Sequence, residues 1–119
     1  MHIYSFEKLE VWKLARDFCV YIYKLTNTFP IEEKFGLVSQ MRRASISIAS
    51  NIAEGSSRMS KKDQSHFYTI TFSSTIELLN QLISHALTFI TENQLHESRL
   101  KIEPITKGLS NLKRSTLKP

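Results

Sequence analysis

The chain has 119 residues, of which 41% are hydrophobic and 10% aromatic, and its formal net charge is +5 at pH 7. This length suits one domain with a single core, and the apolar and aromatic content excludes a disordered chain. Three glycines and three prolines are too few for the many tight turns of a β-sandwich or barrel. We therefore expect a single helical domain over residues 1–119.

The same composition predicts where the protein works. The single cysteine, Cys19, cannot form an intrachain disulfide, which is typical of the reducing cytoplasm. The first residues lack the apolar stretch of a secretory signal, and no apolar run is long enough to span a bilayer. We expect a cytoplasmic protein with no membrane partner. Its positive charge favours acidic partners, nucleic acid first among them.

Two helical patterns fill the first half of the chain. The first runs from about residue 6 to residue 26, with Ser5 as its candidate N-cap. It ends before Pro30, because proline disfavours a helical conformation at the preceding residue. The second runs over about residues 31–54. Gly55 is expected to end it in the left-handed conformation that glycine tolerates.

Two further patterns fill the second half. The third runs over about residues 60–92, and Ser60 with Asp63 fits a capping box at its start. The fourth runs over about residues 95–115, and Pro104 is expected to kink it or to mark a later start. Short connections make sequential helices antiparallel neighbours. The predicted fold is therefore an all-α, antiparallel up-down-up-down four-helix bundle.

The first three helices carry more apolar surface than one core needs. On the third helix, one seam runs from Phe67 to Phe89 at spacings of three and four, and a second lies about 100° around the axis. Contact with two neighbours inside the bundle is one explanation. The other, which we favour, is contact with another subunit, because a long exposed apolar strip is a liability. The candidate interface residues are Ile46, Ala49, Ala53, Phe72, Ile76, Leu79 and Ile83.

A recognisable series of short motifs runs along the first half of the chain. In order, these are Phe6-Glu7-Lys8-Leu9, Val11-Trp12, Phe29-Pro30, Phe35-Gly36-Leu37, Gln40-Met41-Arg42-Arg43-Ala44 and Asn51-Ile52-Ala53-Glu54-Gly55. The series resembles the bacterial four-helix bundle family of 23S rRNA intervening-sequence proteins. It is similar, more distantly, to the accessory variability proteins of diversity-generating retroelements.

The resemblance implies a homo-oligomer, typically a five-membered ring, without known enzymatic activity. For the retroelement proteins it implies binding to RNA and to a reverse transcriptase. For the intervening-sequence proteins it identifies a fold more than a function.

Basic side chains concentrate near the start of the third helix and in the last quarter of the chain. Lys61 and Lys62 oppose the helix dipole, a local cost that an anion would relieve. Solvated lysines are usual on a bundle, which explains any single one of them. Together, and repeated around a ring, these basic side chains predict salt-sensitive and weakly sequence-dependent binding of phosphate groups. The candidate nucleic-acid-binding residues are Arg43, Arg58, Lys61, Lys62, Lys113 and Arg114.

Three residues of the second helix have structural roles in this interpretation. Arg42 lies among small apolar residues and suits a subunit contact, the alternative being a surface arginine with a packed stem. Glu54 lies in the last turn, where the dipole penalises a negative charge, so a cationic partner is expected. Asn51 is expected to hold the chain near Gly55. The candidate partners of Glu54 are Arg43, Arg58 and a neighbouring subunit's Arg42.

The residues give little support to an enzyme. A di-metal carboxylate bundle needs paired Glu-x-x-His motifs, and His66, His85 and His96 do not have that spacing. The chain has no Gly-x-Ser-x-Gly elbow, no phosphate loop and no Cys-x-x-Cys. Cys19 falls in an apolar stripe and is expected in the core. We predict no catalytic residue, no metal and no cofactor.

The leading hypothesis is therefore a homo-oligomeric scaffold that binds RNA through repeated basic patches. The alternative is a protein-interaction module, such as an accessory subunit of a polymerase or reverse transcriptase, without direct RNA contact.

Overall fold

The computed structural model describes residues 1–118, and Pro119, the last residue of the predicted domain, lies outside them. This part of the chain forms helices and no strand, which confirms the predicted all-α class. The α-helices are α1 (Glu10–Thr26), α2 (Leu37–Ser56), α3 (Lys61–Asn80) and α4 (Glu92–Ser115). Short 3-10 helices form at Ser5–Lys8 and Ile31–Glu33, and a π-helical turn, Gln81–His85, follows α3.

Contacts between helices establish the antiparallel order. In each pair of neighbours, residues near the end of one helix contact residues near the start of the other. Because α1 also packs on α4, the four helices close into a bundle. The contacts are Thr26–Arg42 and Cys19–Ser45 for α1 and α2, Phe67–Gly55 and Ser74–Ser47 for α3 and α2, and Val11–Gly108 and Tyr21–Ser98 for α1 and α4.

The core lies along the axis of the bundle, and every α-helix contributes to it. Burying each of these large side chains stabilises the fold by roughly 1.5–3 kcal/mol before the entropy of ordering is subtracted. No helix within residues 1–118 is long and apolar enough to cross a lipid bilayer. The largest fully buried apolar side chains are Phe18, Ile22, Met41, Ile48, Ile52, Leu78, Leu82, Ile105 and Leu109.

The predicted left-handed end of α2 at Gly55 is wrong. The helix continues through Gly55 to Ser56, and no described glycine has a positive φ. A Cβ atom at Gly55 would lie 2.7 Å from the Cβ of Phe67 and 3.1 Å from the ring of Tyr68. The glycine is therefore needed for the close approach of α2 to α3, and not for a change in chain direction.

The predicted N-cap of the third helix is confirmed, and that of the first is wrong. Ser60 Oγ accepts a hydrogen bond from the N–H of Asp63 over 3.1 Å. The reciprocal bond of the predicted capping box, from the Ser60 N–H to the Asp63 carboxylate, does not form in the described part of the chain. Ser5 lies inside a 3-10 helix, and α1 begins only at Glu10. A 3-10 helix likewise replaces the predicted first turn of α2, which begins at Leu37.

The connection between α3 and α4 lies earlier than predicted. The third helix changes to the π-helical turn, closed by a hydrogen bond from Ala86 N to Gln81 O over 2.8 Å. The fourth helix begins at Glu92, because Thr91 and Gln94 form a capping box with reciprocal bonds of 3.0 and 2.8 Å. The Thr-x-x-Gln pattern was present in the sequence and could have located this start.

Pro104 does not delay the start of α4, which runs through it. Proline has no N–H, so the carbonyl of Leu100, one turn earlier, receives no backbone hydrogen bond from it. Leu100 is exposed, and water can bond to that carbonyl. Pro104 itself is partly buried, and the missing hydrogen bond therefore falls at an exposed residue and not in the core.

Candidate nucleic-acid interface

One end of the bundle collects basic side chains that are far apart in sequence. Because α3 begins where α4 ends, Lys61 Nζ donates a hydrogen bond to the carbonyl oxygen of Lys118 over 2.8 Å. The connection before α3 and the last turn of α4 add further exposed cations. This basic end consists of Arg58, Lys61, Lys62, Lys113, Arg114 and Lys118.

The charges of the basic end are not neutralised by ion pairs within residues 1–118. The ion pairs in this part of the chain join Arg16 to Asp17, Lys101 to Glu97 and Lys107 to Glu103. None of them includes a residue of the basic end. The positive end of the α3 dipole adds to the charge of Lys61 and Lys62. Several exposed cations on one surface can bind successive phosphates of a nucleic acid.

Arg58 is positioned by contacts with two residues of α3. Its guanidinium carbon lies 4.6 Å from the centroid of the Phe67 ring, and its carbonyl oxygen accepts a hydrogen bond from Gln64 Nε2 over 3.0 Å. The stacked guanidinium keeps its donors at its edge free for a phosphate.

Arg43 lies apart from the other predicted RNA-binding residues. It lines a groove of about 370 Å³ between α2 and α3, together with Gln40, Ser47, Ser74 and Glu77. Ser74 lies roughly 20 Å along α3 from Lys61, at 1.5 Å per residue. The fold therefore brings together five of the six predicted residues and leaves Arg43 elsewhere.

Beside the basic end, a second groove of about 370 Å³ runs between α3 and α4. Phe72 of α3 lines it and is 38% exposed. Arg114 Nη1 donates a hydrogen bond to Asn111 Oδ1 over 3.0 Å within it. The sequence did not place Lys107 or Asn111 near Phe72, because the two helices are distant along the chain. The α4 residues that line this groove are Thr106, Lys107, Ser110, Asn111 and Arg114.

Two apolar strips lie on different faces of the bundle. On α2, Ile46 is 45% exposed, and Ala49 and Ala53 are partly buried. This strip borders α1, since Arg42 on the same side of α2 contacts α1. The second strip is on α3 and borders α4, since its first residue lines the groove shared with α4. It contains the exposed Phe72 and Ile76 and the partly buried Leu79 and Ile83.

Arg42 is bound within the chain. Its Nε donates to Thr26 Oγ1 over 3.0 Å and its Nη2 donates to the carbonyl oxygen of Tyr23 over 3.3 Å. Its guanidinium carbon also lies 4.5 Å from the centroid of the Tyr23 ring. Arg42 therefore stabilises the carboxyl end of α1, where a cation is favoured. The predicted contact of Arg42 with another subunit stays a prediction.

Glu54 and Asn51 have different surroundings from those predicted. Glu54 lines a groove with Arg58 and Asp63 but forms no ion pair in the described part of the chain. Its pairing across a subunit contact stays a prediction. Asn51 Nδ2 donates back to the carbonyl and hydroxyl oxygens of Ser47, both over 2.9 Å. It does not hold the chain near the end of α2, and the prediction for Asn51 is wrong.

The opposite end of the bundle, the apolar end, exposes large apolar side chains beside the charged Glu32 and Lys34. Phe35 is 88% exposed and Ile31 is 76% exposed, both in the connection between α1 and α2. Leu87, in the connection between α3 and α4, is also exposed at this end. The sequence motif contained Phe35 but did not show that its ring lies outside the core.

The remaining chemistry of the described residues is modest. They contain no cluster of three or more His, Cys, Asp or Glu side chains that could hold a metal. Cys19 is partly buried, and its Sγ accepts a hydrogen bond from Ser45 Oγ over 3.4 Å. Burial raises the pKa of Tyr68. Burial also raises the pKa of Tyr21, an effect that its hydrogen bond with Ser98 opposes.

Comparison with known proteins places this architecture in a family. The family model for "23S rRNA-intervening sequence protein" matches residues 7–111. A crystal structure of a protein with unknown function from the S23 ribosomal protein family of Bacteroides thetaiotaomicron is similar, with a TM-score of 0.79 and 25% sequence identity. That match covers 87% of this chain and 95% of the other. No curated protein matches. The chain belongs to the family of 23S rRNA-intervening sequence proteins.

Proposed function

We propose that this protein is a non-enzymatic, homo-oligomeric scaffold of the cytoplasm that binds RNA through its basic end. The observation that carries the proposal is the contact between Lys61 and Lys118, which joins the cations before α3 to those at the end of α4. Two modest basic segments thereby become one surface. Repetition of that surface in an oligomer would raise the overall affinity without new contacts in any one copy.

The two apolar strips support self-association. The α2 strip and the α3 strip lie on different faces, so a contact between unlike strips is heterologous and can close into a ring. The family resemblance suggests a ring of five. Within the α3 strip, Ile76, Leu79 and Ile83 suit this contact best. Phe72 lies beside Lys107 and Arg114, and burying two cations in a subunit contact is unfavourable.

RNA binding is tested with a fluorescent RNA at about 50 and 200 mM salt. We expect wild-type protein to bind and to lose affinity as salt rises. Changing Arg58, Lys61 and Lys62 together to Ala removes up to three phosphate contacts. The slope of log affinity against log salt should then fall by about 2, at about 0.7 per contact.

The matched control changes Lys13, Arg16 and Lys24 of α1 to Ala, which removes the same charge from exposed positions away from the basic end. We expect this variant to bind nearly as wild type does. Equal losses in both variants would show that only net charge matters. An absence of RNA binding by wild-type protein would overturn the proposal.

The apolar end supports a second candidate function, a protein-interaction module without direct RNA contact. Phe35 and Ile31 are exposed apolar residues of the same short connection, and such residues commonly anchor protein interfaces. The partner would be another protein, for example a polymerase. The absorbance ratio of the purified protein separates the two functions, because an RNA-binding scaffold is expected to retain nucleic acid and this module is not.

A further inference from the structure

The exposed face of α3 has an unusual distribution of side chains. Thr71 and Thr75 are fully buried in the core, whereas Phe72 and Ile76 are 38% and 44% exposed. The buried hydroxyls are satisfied within the helix, Thr71 by the carbonyl of Phe67 and Thr75 by that of Thr71, over 2.8 and 2.9 Å. Helix α3 therefore buries threonines in the core while an aromatic ring stays at the surface. This distribution indicates a function for the ring.

The surroundings of Phe72 are cationic and polar. Across the groove, α4 presents Lys107 and Arg114, with Ser110 and Asn111 between them in sequence. Lys107 Nζ lies 3.4 Å from Glu103 Oε1, but this pair is exposed and so is worth little. Lys107 can leave it for a phosphate. Arg114 belongs to both the groove and the basic end, so the positive surface is continuous from one to the other.

An aromatic ring among cations suits an unpaired nucleotide better than a second protein. The face of an unpaired base stacks on an aromatic side chain, worth about 1–3 kcal/mol per base, and the phosphates on either side meet the cations. In a duplex the base faces are already stacked and cannot reach the ring. A second subunit placed here would have to desolvate Lys107 and Arg114.

We propose that the groove between α3 and α4 is a site for single-stranded RNA, in which one base stacks on Phe72 and the neighbouring phosphates contact Lys107 and Arg114. The proposal rests on the function proposed above, because the basic end supplies most of the charge. It adds a preference for unpaired RNA, which charge alone does not provide.

The test uses the full chain and two RNAs of about 12 nucleotides, one single-stranded and one in a duplex. Wild-type protein should bind the single strand more tightly. Phe72→Ala should weaken single-strand binding about 5- to 100-fold, the range that corresponds to the loss of one stacked base, and should leave duplex binding and the salt slope unchanged. Ile70→Ala is the matched control and should bind as wild type does, because Ile70 is on the same helix, is 37% exposed, and lies outside the groove and both strips.

Two further variants distinguish a loss of the stacking contact from a loss of folding. Phe72→Leu keeps an apolar side chain without an aromatic face, and it should lose single-strand preference while the protein stays folded by circular dichroism. Phe72→Trp should retain binding, and its fluorescence should be quenched when RNA is added.

The outcomes separate this proposal from the one on which it rests. If wild-type protein binds neither RNA, both proposals are overturned. If it binds RNA in a salt-dependent way but Phe72→Ala and Phe72→Leu bind as wild type does, only the site at Phe72 is overturned. A change of oligomer size in Phe72→Ala, measured by sedimentation, would instead assign Phe72 to a subunit contact and would also overturn the site.

Discussion

Tyr68 is a buried tyrosine in α3 whose pKa is raised above its ordinary value of 10.0 because burial penalises the phenolate. The folded protein therefore keeps a proton that the unfolded chain loses. This contribution to stability is complete below the pKa of the unfolded chain and is lost as pH rises through the higher pKa of the folded protein. We expect the free energy of unfolding to fall above pH of about 10.

Replacing Tyr68 with Phe removes the titrating group and should make that alkaline decline shallower. Urea unfolding of wild type and Tyr68→Phe at neutral and alkaline pH measures the change in the free energy of unfolding. The exposed Tyr4, changed to Phe, is the control. If the free energy of unfolding of both variants falls with pH in parallel with that of wild type, burial of Tyr68 does not contribute to the pH dependence.

At the scale of elements, two glycines set how closely helices pack. Gly55 brings α2 against α3, and Gly108 brings α4 against Val11 of α1, where an added Cβ would lie 2.8 Å from Cγ2. In an exposed helix, Gly to Ala is stabilising by up to about 1 kcal/mol. Here the added methyl group meets Cβ atoms fixed to another backbone, so the helices must separate.

We therefore expect Gly55→Ala to destabilise the protein by about 1–3 kcal/mol, as overpacking does in other cores. Thermal or urea unfolding measures the change. Ser50→Ala, at an exposed position of α2, is the control and should be neutral or slightly stabilising. A Gly55→Ala variant as stable as this control would show that α2 and α3 can separate without cost.

For the whole molecule, the exposed Ile46 is the most direct probe of assembly. We expect wild-type protein to sediment as an oligomer and Ile46→Glu to shift toward smaller species at the same concentration. A subunit contact would bury only the exposed part of Ile46, worth about 1 kcal/mol, and an unpaired carboxylate in that contact adds a further penalty, so association should weaken at least about 10-fold. Leu100→Glu changes a somewhat more exposed residue on α4 outside both strips and should not alter the size. A monomeric wild-type protein would contradict self-association.

Much of this architecture followed from local pattern. Apolar residues spaced three and four apart predicted four helices and most of the core. Such residues form an apolar stripe along a helix, and the stripe is stable only when it is buried against the stripe of another helix. Ser60 was recognised as an N-cap because its bond to Asp63 is local. The end of α3 was not predicted, because the apolar spacing continues past Ile83 to Ile90 while the backbone changes to a π-helical turn at Gln81.

The sequence by itself determined the helical class, the number of helices and the excess of basic and apolar surface, since these depend on residue type and spacing. Only the tertiary structure decided which of those residues meet. It brought Lys61 to the end of α4, placed Phe72 beside Arg114, and showed Gly55 as a packing residue inside a helix. These relations join residues far apart along the chain, and the close packing of the four helices, which no local pattern specifies, determines them.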